Sequence, residues 1–265
     1  MGELVFIGLG LHDEKGLTLK GLEEIKTANA VFSESYTSLM PGFSFENFES
    51  IVGRKVQVVS RRQLEDENGV VVLEAARKGK AVLLVPGDPF IATTHVALRL
   101  EAERLGIRTR VVHGASIISA VIGVCGLHNY KFGKSVTIPF PENFSETPYT
   151  VIVQNMNLGL HSLCLLDVDV EAGRYLSVQE ALEMLLKVEE KKGSGVLTYE
   201  TLAVGVARVG SPNPAVKADY VRELLKYDFG SPPYTIIFLG KLHFMEAEAL
   251  IVFAKAPLNV RRLVE

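Results

Sequence analysis

The chain has 265 residues, 48% hydrophobic and 22% charged, with a net charge of −3, a composition that excludes a disordered chain. Its pI of about 6.1 argues against the positive field with which nucleic-acid and anionic-membrane binders work, so neither is expected as a partner. No apolar run approaches the ~20 residues of a bilayer span, no signal peptide precedes the first strand, and Cys125 and Cys164 sit in apolar stretches without metal-ligand spacing, so a soluble, cytoplasmic protein with reduced thiols is expected.

Leu4 to Gly10 is an apolar run ending in glycines, the pattern of a strand buried on both faces of a parallel sheet. After a loop over Leu11–Gly16, Thr18 is placed to cap a helix predicted from Leu19 to Ala28, where Leu19, Leu22 and Ile25 keep helical spacing. Ala30–Ser33 reads as a second strand, Glu34–Phe45 as a loop with a Pro41-Gly42 turn, and Lys55–Ser60 as a third strand. The polar stretch Arg61–Asn68 leads into a helix through Ala76, closed by Lys78-Gly79. Ala81–Val85 is a further buried strand. Pro86-Gly87-Asp88-Pro89 stops it, because proline lacks the ladder N–H and glycine takes backbone angles closed to other residues. Thr93 or Thr94 is expected to cap the next helix, which runs through Leu105 with Leu98, Ala102 and Leu105 on one face. Arg108–His113 is the fifth strand, and Gly114-Ala115-Ser116 turns into a helix over Ile117–Val124 with Ser116 as its expected cap.

This alternation predicts a mostly parallel five-stranded sheet covered on both faces. Gly126–Gly133 reads as a boundary, which gives domains 1–132 and 133–265. In the second, Ser135–Pro139, His161–Asp167, Thr201–Val209 and Thr235–Leu239 are predicted strands. Tyr149–Leu158, Val178–Lys191 and Phe244–Ala254 are predicted helices. Ser177 caps the middle helix, and Ala181, Leu182, Leu185, Leu186 and Val188 form its buried stripe. Denser turn chemistry here favours a mixed sheet. The expected fold is α/β with two α/β domains.

Several familiar sites are absent from the pattern. Gly8-Leu9-Gly10-Leu11-His12-Asp13 starts like a dinucleotide fingerprint, but Asp13 fills its third glycine position. His95, His113 and His128 lie on three elements without local ligand spacing, which favours structural roles over a metal. Ser116 is explained by capping, and no Gly-x-Ser-x-Gly elbow supports a hydrolase. What survives is a set of strand ends: Gly8–Leu11, Pro86–Pro89 and His113–Ser116. In open α/β sheets, ligands bind in the crevice outside such carboxyl ends.

Further stretches stand out: Phe6-Ile-Gly-Leu-Gly-Leu, Glu34-Ser-Tyr-Thr-Ser-Leu-Met40, Pro86-Gly-Asp-Pro-Phe-Ile-Ala-Thr-Thr-His95, Tyr130-Lys-Phe-Gly-Lys-Ser135 and Gly230-Ser-Pro-Pro-Tyr234. In these the chain resembles the diphthine synthases, members of the class III, tetrapyrrole-methylase-like S-adenosylmethionine-dependent methyltransferases. The resemblance implies a cofactor cleft between the two domains, a homodimer, and S-adenosylmethionine as cofactor with S-adenosylhomocysteine as product. The cofactor contacts it implies are Leu11, Asp88, Ile91, Ser116, Ile117, Leu166, Ala207 and Tyr234; Ile91 stands where the pattern has valine and Tyr234 where it has histidine. The implied reaction is three methyl transfers to the amino group of a 3-amino-3-carboxypropyl-histidine on translation elongation factor 2, giving diphthine. A class III enzyme acting on a tetrapyrrole, a cobalamin or sirohaem precursor, is the alternative, and a binding module without turnover is a third reading. Because methyl transfer from a sulfonium is an in-line displacement, proximity and orientation suffice. No catalytic residue is assigned, and Asp88 is expected to position the donor.

Overall fold

Five strands form the sheet of the first half: β1 (Glu3–Gly8), β2 (Ala30–Ser33), β3 (Gln57–Val58), β4 (Lys80–Val85) and β5 (Arg108–Val112), here in a computed structural model that describes residues 2–264. Their order is β3-β2-β4-β1-β5, all parallel. The run of Val, Ile and Leu in β1 and β4 is explained by this order, because both strands have neighbours on either edge. Helices then cover both faces, and Leu4 to Ile7 and Ala81 to Val85 are fully buried.

The connecting helices are α1 (Leu19–Lys26), α2 (Phe45–Val52), α3 (Arg61–Leu64), α4 (Val70–Lys78) and α5 (Val96–Arg104), with α6 (Ile117–Cys125) after β5. Thr18 caps α1 as expected, its hydroxyl accepting the Gly21 N–H at 3.0 Å. The expected threonine cap of α5 is overturned. His95 holds that position without a side-chain cap bond. The Thr93 hydroxyl instead donates to the Pro89 carbonyl at 2.6 Å, and that of Thr94 to Glu65 Oε1 at 2.9 Å. Leu105, expected on the buried face, is 38% exposed just past the helix end. The first strand stops at Gly8, and the third shrinks to a two-residue edge.

Helix α2 starts at the last residue of the expected loop and fills a stretch for which no element was expected. Ser44 caps it by accepting from the Asn47 N–H, Phe48 and Val52 are buried one turn apart, and Gly53 ends it at φ +68°.

The second sheet contains β6 (Val136–Ile138), β7 (Ser162–Leu166), β10 (Leu202–Ala207), β11 (Ala215–Tyr220) and β12 (Tyr234–Phe238) in the order β11-β10-β12-β7-β6, with short strands β8 (Val168–Asp169) and β9 (Arg174–Tyr175) between β7 and β10 in sequence. Only β6 and β7 pair in parallel; the rest of the five-stranded sheet is antiparallel, so it is mixed, as expected. Strand β11 was not expected. It is an edge strand in which Ala218 alone is buried, so it carries no apolar alternation to read.

Its helices are α7 (Thr147–Asn157), α8 (Val178–Lys192), the single turn α9 (Val221–Leu224) and α10 (Phe244–Phe253). In α8 the cap at Ser177 is a full capping box with Glu180, and Ala181, Leu182, Leu185, Leu186 and Val188 are all buried. Backbone contacts divide the chain into two compact units, one running to Ile117 with Asp169–Ala172, the other Ile118–Val168 with Gly173 onward. The sequence boundary at 132/133 lies C-terminal to that division, beyond α6. No helix among the described residues is long and apolar enough to cross a membrane.

Candidate active site

In the first unit, the strand order makes β4, β1 and β5 neighbours, so the three glycine-bearing loops meet at one sheet end. Their contact is made by backbone. The N–H of Gly87 donates to the Gly10 carbonyl at 2.7 Å, and the N–H of Gly10 returns to the Gly87 carbonyl at 3.2 Å. Gly10 and Gly87 have φ of +82° and +70°, a region costly for other residues. A Cβ added to Gly8 would lie 2.5 Å from both the Gly114 nitrogen and the Gly87 carbonyl oxygen. Backbone thus meets backbone where the three loops come together.

Asp88 stands on this platform, 7% exposed. Its Oδ1 accepts the Phe90 N–H at 3.1 Å, closing the turn, and its Oδ2 takes a bond from Nδ1 of His113 at 2.7 Å. The carboxylate is therefore fixed by the loop after β4 and by the end of β5. Leu11 follows the Gly10 bridge, the Ile91 N–H donates to the Asp88 carbonyl at 3.3 Å, and Ser116 and Ile117 open α6. Sequence reasoning placed His113 at this sheet end without assigning it; its partnership with Asp88 follows from the β4-β1-β5 order.

In the second unit, Leu166, Ala207 and Tyr234 fall on three adjacent strands. Ala207 pairs with Tyr234, and Thr235 pairs with Leu165, so one antiparallel step brings Tyr234 opposite Leu166. The three residues form a single cross-strand row at one end of that sheet. The Tyr234 hydroxyl donates back to the Gly230 carbonyl.

Four of the other histidines meet carboxylates. His95 Nε2 lies 3.3 Å from the buried Glu34. In the second unit, Glu246 is fully buried and accepts from the His128 and His243 N–H groups, Lys131 Nζ and His161 Nε2, at 2.8, 2.9, 2.7 and 3.0 Å. Burial pushes the Glu246 carboxyl up, but these donors together override it and hold it at about 2. His161 Nδ1 accepts from the Gly240 N–H at 3.0 Å, which leaves Nε2 to donate to Glu246. Burial, opposed by the carboxylate, keeps its imidazole below the usual histidine range. This knot fixes the Tyr130–Ser135 motif: Lys131 is tied to Glu246, and Asn155 bonds both the Lys134 N–H and its carbonyl. Among the described residues, no cluster of His, Cys, Asp and Glu is arranged to hold a metal.

Two cavities flank the first sheet. One, of about 750 Å³, lies among α3, α4 and α5 and touches none of the expected site residues. The other, of about 170 Å³, lies beside the strand ends and is lined by Leu9, Pro86, Ser33, Glu34 and the loop that follows, with Phe43 and Phe45.

The stretches Gly8–Leu11, Pro86–Ile91 and His113–Ile117 contain no lysine or arginine. A backbone floor with one buried carboxylate suits a ligand bearing positive charge and no phosphate, which S-adenosylmethionine satisfies with its sulfonium and ammonium. With a buried carboxylate and no lysine or arginine in these stretches, it suits a dinucleotide pyrophosphate poorly even though α6 begins here.

Comparison with known proteins agrees with that chemistry. Residues 3–222 match the model of the tetrapyrrole (corrin/porphyrin) methylases. The chain is 48% identical to the diphthine synthase of Methanosarcina mazei, over 99% of this chain and all of that one. It is 44% identical to the diphthine synthase of Methanothermobacter thermautotrophicus, with 96% of each covered. A crystal structure of a diphthine synthase superposes with a TM-score of 0.89 at 42% identity, covering 99% of this chain and all of the other.

Proposed function

Because this chain belongs to the tetrapyrrole methylase family and, within it, to the diphthine synthases, we propose that it methylates the amino group of a 3-amino-3-carboxypropyl-histidine on translation elongation factor 2, in three transfers that give diphthine. It is an S-adenosylmethionine-dependent methyltransferase acting in diphthamide biosynthesis. The observation that carries the reading is the interlocked platform Gly8–Gly10, Gly87 and Gly114 with Asp88 buried on it.

S-adenosylmethionine supplies a methyl group already activated on a sulfonium. The residues of the chain then have to bind, orient and keep water away, since correct placement of two reactants alone is worth several powers of ten in rate. We assign Leu11, Asp88, Ile91, Ser116 and Ile117 of the first unit as cofactor contacts, with Asp88 facing the donor's positive charge. Leu166, Ala207 and Tyr234 of the second unit are assigned likewise, and their single row supports grouping them. The acceptor amine must react in its neutral form, and a desolvated pocket lowers its pKa because burial penalises the ammonium. No general base is needed for that.

We also propose that the enzyme works as a homodimer in the cytoplasm, and that domains 1–132 and 133–265 are its functional halves. The test of the reaction is an incubation of elongation factor 2 carrying the modified histidine with S-adenosylmethionine, read by mass. A gain of three methyl groups is expected. Label appearing instead on a corrinoid or sirohaem precursor would move the enzyme to a tetrapyrrole substrate. Absence of binding to both S-adenosylmethionine and S-adenosylhomocysteine by calorimetry would end the methyltransferase reading. Light scattering giving a monomer would remove the dimer.

A further inference from the structure

The cavity of about 170 Å³ in the first unit is not explained by donor binding. It touches none of the expected cofactor contacts, yet Leu9 and Pro86 in its wall directly precede the Gly10 and Gly87 bridge. It therefore adjoins the donor platform on the side of β2. Drug-sized and cofactor sites occupy roughly 300–1,000 Å³, so this one fits a side-chain-sized group and is too small for a macrocycle.

Its lining has a definite chemistry. Among the described residues, Glu34 is the only charged one in the wall. The Tyr36 and Thr37 N–H groups fix its carboxylate at 2.9 and 3.1 Å, as do the Thr37 hydroxyl and His95. Phe43 and Phe45 stand almost perpendicular, 87° between ring planes with centroids 5.1 Å apart, and Met40 completes the apolar side. Aromatic rings lining a cavity together with a carboxylate attract alkylated ammonium ions.

We propose that this cavity holds the amine end of the acceptor and retains it as it becomes a trimethylammonium group. The proposal rests on the triple methylation argued above. Each of the first two transfers replaces an N–H by N–CH₃ and releases a proton to water. The third forms its bond from the nitrogen lone pair as the others do, but has no N–H left to release and leaves a permanent charge. A site that held the amine by accepting its N–H bonds would lose its grip as those bonds vanish. Ring faces do not depend on N–H bonds, and with a nearby carboxylate they attract the positive charge that the nitrogen acquires in each transfer. Phe43 and Phe45 thus set how many methyl groups are added.

The experiment uses the full chain and a double variant, Phe43→Leu with Phe45→Leu, which keeps the wall apolar and removes the ring faces. With modified elongation factor 2 as acceptor, the third transfer should slow about tenfold relative to the first, so that mono- and dimethyl forms accumulate, while S-adenosylhomocysteine affinity stays within twofold. Equal slowing of all three transfers, or a parallel loss of S-adenosylhomocysteine affinity, would overturn the proposal, the latter by making the cavity part of the donor site. Tetramethylammonium probes the cavity whatever the acceptor is. In saturation-transfer NMR on the wild-type protein it should bind in the millimolar range where neutral tert-butanol does not, and the double variant should abolish the difference. If wild-type protein shows no difference between the two probes, the cage is wrong; if it shows one but methylates no elongation factor, the proposed acceptor is wrong instead.

Discussion

The strand-end platform of the first unit and the Glu246 knot of the second solve the same problem, holding distant loops together, with opposite materials. At the platform, backbone packs on backbone: Gly8, Gly87 and Gly114 approach too closely for any side chain to intervene. At the knot, one buried carboxylate gathers donors from three segments, around His128, around His161 and at the start of α10. The first arrangement is insensitive to charge and intolerant of volume; the second is the reverse. Each should therefore fail under a perturbation that leaves the other alone.

Removing the charge of Glu246 should have the largest effect on stability. Glu246→Gln leaves Lys131 facing a neutral group and should destabilise the fold by about 3–5 kcal/mol, read by urea unfolding, with S-adenosylhomocysteine affinity per folded molecule unchanged. The pH dependence has a definite sign. The Glu246 carboxyl is held at about 2, below its ordinary value of 4.5, so its contribution is present above pH 4.5 and is lost as pH falls from there towards 2. Wild-type stability should decline in that window more steeply than that of Glu246→Gln. Equal slopes would show that the knot does not depend on charge.

Adding volume at the platform is the complementary test. Gly8→Ala places a methyl group against the backbone of Gly114 and Gly87, which should cost about 3 kcal/mol or more and abolish S-adenosylhomocysteine binding, measured by calorimetry on the folded fraction. If the variant binds normally, the close approach is not what shapes the site. A smaller effect is expected at Asp88, where Asp88→Asn removes the charge but keeps an acceptor for the Phe90 N–H. Losing a charged hydrogen-bond partner is worth about 1.5–3 kcal/mol, so cofactor affinity should fall ten- to a hundredfold with little change in melting temperature. The smallest effect belongs to Tyr234→Phe, which loses one hydroxyl bond to the Gly230 carbonyl. About 1 kcal/mol of stability and no change in affinity are expected.

These two regions also differ in how far the sequence revealed them. The platform was legible, because a buried strand in a parallel sheet writes itself as an unbroken apolar run, and the glycines and prolines after it mark where the chain must turn. What could not be read was adjacency. Asp88 and His113 meet only because β1 lies between β4 and β5. The row of Leu166, Tyr234 and Ala207 likewise depends on strand register, which no local pattern encodes, and those residues came from family likeness. The knot was illegible in a stronger sense: His128 and Glu246 are 118 positions apart, and a lone glutamate in a final helix looks like any solvated charge. Helix α2 is a different case. Ser44 and Gly53 are ordinary start and stop signals, and Phe48 and Val52 an ordinary buried pair, but the aromatic, turn-rich stretch before them reads as loop. Strand β11 left no such signals, since an edge strand with one buried residue has nothing to alternate.

The mutual contact of Gly8, Gly87 and Gly114 also bears on how a ligand arrives. Loops that share backbone hydrogen bonds and leave no room between them cannot be displaced one at a time, so there is little ordering left for a ligand to impose. Encounter should then resemble docking onto a finished surface. The association rate would be governed by access and orientation, and the entropy lost on binding would come from the ligand's own freedom and not from the protein's.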